Sequence, residues 1–69
     1  MIEPAEAAAY IMPFGKHKGK SLTRIATEDA RYLDWMTDGL SPGTARMMVL
    51  IAVEEPFIKR QIERAIYDS

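Results

Sequence analysis

The residues best suited to chemistry lie in one short stretch, Met12-Pro13-Phe14-Gly15-Lys16-His17-Lys18-Gly19-Lys20-Ser21-Leu22. Two glycines bracket a cationic loop that carries the only histidine of the chain. From Ala7 to Thr27 there is no Asp or Glu, yet Lys16, Lys18, Lys20 and Arg24 all fall in that window. Gly15 and Gly19 can adopt positive φ and let the backbone approach a ligand closely. A tight, glycine-flanked, cationic turn of this kind is suited to holding phosphate groups. Four cations on a single strand would give a salt slope of only about −3, at roughly −0.7 per phosphate.

Two other readings of the loop are weaker. Gly19-Lys20-Ser21 ends like a P-loop, but Gly15 stands one residue too close for Gly-x4-Gly-Lys-Ser, and the chain is too short for the accompanying parallel sheet. His17 could serve as a base or a phosphate ligand. It has no nucleophile or carboxylate close in sequence, so we expect a non-catalytic loop residue. Tyr10, Phe14, Tyr32 and Trp35 could form a base-stacking platform beside the cations. Core burial explains Phe14 and Trp35 better, since aromatics carry much of the burial in a small domain; Tyr32 stays open, within reach of the loop. Glu28, Asp29 and Asp34 read as helix-capping or solvated acids rather than a metal cluster.

The elements that must hold this loop are small. The chain has 69 residues, no cysteine and a formal net charge of −1. Disulfides and thiolate metal sites are therefore excluded, and one histidine cannot build a histidine-based zinc site. A domain of this size is marginally stable alone, which leaves close packing or oligomerisation as its supports. The near-zero net charge excludes a bulk electrostatic nucleic-acid binder but not a local patch. No apolar run approaches a membrane span, and the acidic N-terminus does not read as a signal peptide; we expect a cytoplasmic protein with no cofactor.

In chain order, residues 1–9 read as a flexible arm with some helix propensity, and residues 10–69 as one small domain. Tyr10 to Phe14 and Lys20 to Leu22 would pair as a short β-hairpin. Pro13 confines the first strand to an edge. Ser21 or Thr23 can cap a short helix with Leu22, Ile25 and Ala26 inward. Thr27 would cap the next helix, whose stripe is Leu33, Met36 and Leu40, ended by Gly39. Ser41 and Pro42 would open a third helix containing Met47–Val53, apolar on every face. Pro56 should break it, and Phe57 to Tyr67 would form the last helix with Ile58, Ile62, Ala65 and Ile66 on one side. The expected fold class is α+β, a short N-terminal β-hairpin packed on three to four α-helices.

The loop, followed by Ile25-Ala26 and by Asp29-Ala30-Arg31-Tyr32-Leu33-Asp34-Trp35, resembles the exodeoxyribonuclease X-like C-terminal domain family. It is equally similar to the related small proteins labelled quorum-sensing-regulated virulence factors. The shared pattern is Pro-Phe-Gly-Lys-(aromatic or His)-Lys-Gly, a Leu shortly after, then an Asp-containing cap and Tyr-Leu-x-Trp. The resemblance implies an accessory module, fused to DNA-processing nucleases or standing alone. The nuclease chemistry of the fused proteins belongs to a separate domain, so no enzymatic activity is expected here. The expected function is a non-catalytic, nucleic-acid-associated module whose phosphate contacts are Lys16, His17, Lys18, Gly19, Lys20, Arg24 and Tyr32. The alternative is a protein-interaction or oligomerisation module, a regulator whose loop is a structural turn. It would meet an acidic protein surface or self-associate through Met47, Leu50 and Ile51.

Overall fold

Local capping chemistry accounts for most helix boundaries in the computed structural model, which describes residues 1–67. Five helices follow in order: α1 (Pro4–Ala8), α2 (Leu22–Glu28), α3 (Ala30–Gly39), α4 (Thr44–Ala52) and α5 (Pro56–Tyr67). Pro4 opens α1, where a missing N–H costs nothing. At α2, the Ser21 hydroxyl accepts the Arg24 backbone N–H at 3.1 Å, as a good N-cap does. Glu55 caps α5 with both oxygens, accepting from the N–H groups of Phe57 at 3.1 Å and Ile58 at 3.0 Å. Pro56 thus breaks the chain from α4 and begins the next helix.

Three boundaries depart from the sequence reading. Thr27 does not cap α3; its hydroxyl donates to the Thr23 carbonyl inside α2. The cap is Asp29, whose Oδ1 accepts the Tyr32 N–H at 3.3 Å. Gly39 stays helical as the last residue of α3, and Gly43 rather than Ser41 precedes α4. Residues 4–8, placed in an arm by the sequence reading, form α1, whose Ala7 and Ala8 are buried. The expected 10–69 unit includes Asp68 and Ser69, which lie outside the described residues.

The fold class is all-helical, not α+β: among the described residues there is no strand or sheet. The expected hairpin shrinks to one antiparallel bridge between Ile11 and Ser21. The Met12 N–H donates to the Lys20 carbonyl at 3.0 Å, and the Gly19 N–H donates to the Met12 carbonyl at 2.8 Å. The Leu22 N–H donates to the Tyr10 carbonyl at 3.0 Å. A ladder cannot grow from here. Pro13 has no N–H to offer on one side, and on the other the Ser21 cap turns the chain into α2.

The core draws on every helix. Leu22, Ile25 and Ala26 of α2 meet Leu33 and Met36 of α3, with Val49 and Ala52 of α4 and Ile58 of α5. Met12 enters it from the loop base. Helix α1 packs chiefly on α4, and α5 packs on both α3 and α2. The Thr23 hydroxyl, donating to the Ala8 carbonyl at 3.1 Å, ties α2 to α1. Among the described residues no helix is long and apolar enough to cross a membrane.

Candidate phosphate-binding loop and aromatic face

Two overlapping turns shape the loop. The Lys18 N–H donates to the Gly15 carbonyl at 3.2 Å, and the Lys20 N–H to the His17 carbonyl at 3.1 Å. Gly19 is the third residue of the second turn, with φ of 86°, the position at which a type II turn requires positive φ. Gly15 has φ of 85°, and a Cβ there would lie in contact with the Tyr32 hydroxyl at 3.4 Å. Both glycines are therefore set by geometry, and the loop is pinned at its base by the Met12 bonds.

Two acids at the junction of α2 and α3 hold the loop cations. Lys20 Nζ lies 2.6 Å from one oxygen of Glu28, and Arg24 Nε lies 2.7 Å from the other. These bonds, first from Lys20 and then from Arg24, draw the Glu28 carboxyl from an ordinary 4.5 down to about 2. Asp29 Oδ2 receives both His17 Nε2 at 3.2 Å and Lys16 Nζ at 3.1 Å. The His17 bond, then Lys16, holds the Asp29 carboxyl below its usual range. Lys18 is exposed, with no carboxylate in ion-pair range among the described residues.

His17 departs most from its expected place on a phosphate. It is buried, with 8% of its surface exposed, because Asp29 and Tyr32 receive its ring. The ionised Asp29 only accepts, so Nε2 is the donor in this bond. The other nitrogen, Nδ1, is buried without a hydrogen-bond partner. A histidine acting as a base needs one nitrogen on its carboxylate and the other open to substrate; here the second is closed off. The sequence reading missed the carboxylate because it lies 12 residues further on.

Beside the loop, α3 carries a row of rings. His17 meets Tyr32 edge-on with centroids 5.0 Å apart, and Tyr32 meets Trp35 at 5.5 Å with a 32° tilt. Lys16 Nζ lies 5.5 Å from the Tyr32 centroid, within cation–π range. Trp35 and Phe14, both expected in the core, are instead 52% and 48% exposed. Leu33 and Met36 take the inward face of α3, which turns position 35 to its flank. There the indole lies across Gly39, where a Cβ would collide with the ring. Among the described residues no three His, Asp or Glu side chains converge as a metal site requires.

The family model described as exodeoxyribonuclease X-like C-terminal matches residues 12–40. Over this segment, about two fifths of the chain, the protein is similar to the exodeoxyribonuclease X-like C-terminal family. No curated protein and no solved structure gives a significant match. The family segment begins at Met12 and ends one residue past α3, so it encloses the loop, both acids, Tyr32, Trp35 and Gly39. Helices α1, α4 and α5 lie outside it and complete the core. A segment of this kind fits a nucleic-acid-associated accessory role.

Proposed function

We propose that the chain is a non-catalytic accessory module that presents the Gly15–Gly19 loop to nucleic-acid phosphates. The observation that carries this reading is a surplus of positive charge. Among the described residues, Lys16, Lys18, Lys20 and Arg24 face two carboxylates, Glu28 and Asp29, which leaves a net +2 on one edge of an otherwise acidic chain. The pairs are partly exposed and screened by solvent, so a phosphate can displace a carboxylate at small cost. Two surplus charges give a salt slope near −1.4 on single strands and affinity on the order of 10⁻⁴ to 10⁻⁶ M. A tether to a partner, or a second loop in an oligomer, would raise that by effective concentration. The closed-off His17 supports a binding role over a catalytic one.

Fluorescence anisotropy with labelled oligonucleotides at graded salt tests the proposal. Binding at low salt should weaken as salt rises and drop at least several-fold in Lys16→Ala/Lys18→Ala, with Lys59→Ala on α5 unchanged. Absence of binding at low salt would sink it.

A second reading has its own observation. Met47 and Leu50 of α4 are 47% and 45% exposed, beside a half-buried Ile51, which suits self-association through this face.

A further inference from the structure

Exposed π faces are of little use against a duplex, whose bases are stacked on one another. They suit a strand whose bases are free. Trp35 offers half of its surface to solvent, and its indole is held in place by Gly39 beneath it and Tyr32 at 5.5 Å. Tyr32 is fixed in turn by the edge of the buried His17. A platform already ordered loses little side-chain freedom when a base settles on it. The cations lie at the Tyr32 end of the row, where Lys16 stands over the ring and Lys18 follows it in the loop. At the other end, Asp34 and Asp38 outnumber the one cation, Arg31, in a cleft shared with Trp35 and Gly39. The charge gradient along α3 therefore sets a direction: bases on the rings, phosphates toward the loop and away from Asp38.

From this arrangement we infer that the ligand is single-stranded nucleic acid, with an unpaired base stacked on Trp35 and Tyr32 and its phosphates on Lys16 and Lys18. The inference rests on the reading of the loop as a phosphate site. It adds the strandedness of the ligand and a base-contacting role for Trp35.

Trp35 is the only tryptophan, so its own emission reports the contact. The probes are a ten-nucleotide oligothymidine and a blunt ten-base-pair duplex, each followed by anisotropy and by tryptophan fluorescence at low salt. The expected result is quenching of Trp35 by the single strand, and single-strand affinity about tenfold above that of the duplex. Trp35→Ala should lower single-strand affinity about tenfold, in line with the loss of one stacked base. Trp35→Phe should keep most of it, and circular dichroism checks that both variants fold. Equal, lysine-dependent binding of both probes with unchanged emission would overturn the stacking inference and leave the phosphate reading standing. No binding of either probe would overturn both. Quenching only by added protein partners, with oligonucleotides inert, would reassign the face to protein contact.

Discussion

Glu28 is the residue that most directly opposes the proposed function. It occupies Lys20 and Arg24 with its two oxygens, at 2.6 and 2.7 Å. If phosphates compete for the same cations, Glu28→Gln should bind oligonucleotide more tightly than the natural chain. The salt slope should steepen by about 0.7, the value of one further phosphate on a single strand. A purely structural loop predicts no gain. The same residue gives a pH signature. Its carboxyl is drawn down from 4.5 to about 2, so the folded state binds fewer protons than the unfolded state between those values. The stabilising contribution is complete above pH 4.5 and is lost as pH falls toward 2. Carboxyl chemical shifts followed by NMR should place the Glu28 midpoint near 2, and Lys20→Ala should move it back toward 4.5.

At the scale of elements, Asp29 joins two helices and the loop. Its backbone N–H closes α2 on the Ile25 carbonyl at 2.7 Å, its Oδ1 opens α3, and its Oδ2 holds Lys16 and His17. These duties separate by substitution. Asn caps a helix as well as Asp does, but carries no charge. Asp29→Ala should lose the cap, at about 1 kcal/mol, in addition to the loop pairs. For a domain of this size that corresponds to a fall in Tm of about 4–8 °C. Asp29→Asn should keep much of the stability while loosening the loop. Thermal melts of the two variants check the order; equal melting temperatures would show that the cap is not what Asp29 contributes. Spacing alone suggested Thr27 as this cap. The Thr23 carbonyl takes its hydroxyl instead, because α2 runs on to Glu28.

For the whole molecule, the question is how a short chain assembles enough core. The largest fully buried side chains are Leu22, Ile25, Leu33, Met36, Val49 and Ile58. The first four lie in the family segment, and the last two come from α4 and α5. Residues 12–40 therefore depend on the later helices to cover them. Helix α4 buries Ala45, Val49 and Ala52 but leaves Met47 and Leu50 half exposed, so among the described residues one side of its apolar run stays uncovered. If that side is a self-association face, sedimentation should show a dimer at high concentration, and Leu50→Lys should give a folded monomer. A monomer at every concentration would set the second reading aside.

The sequence by itself determined the things that are local. Periodic apolar positions marked the inward faces, as at Leu22, Ile25 and Ala26, and all three are buried. The Ser21 cap, the break at Pro56 and the positive-φ glycines were legible because each depends on a few neighbouring atoms. The loop and the Tyr-Leu-x-Trp pattern were enough to name the family whose model matches residues 12–40. Tertiary structure alone decided what faces what. Whether Tyr10–Phe14 finds a strand partner depends on where α2 turns. Whether Lys16 meets a carboxylate depends on the fold bringing Asp29 back across 13 residues. Trp35 is exposed although it is the largest side chain in its segment, because burial is a property of what covers a residue, and no nearby stretch of sequence specifies that.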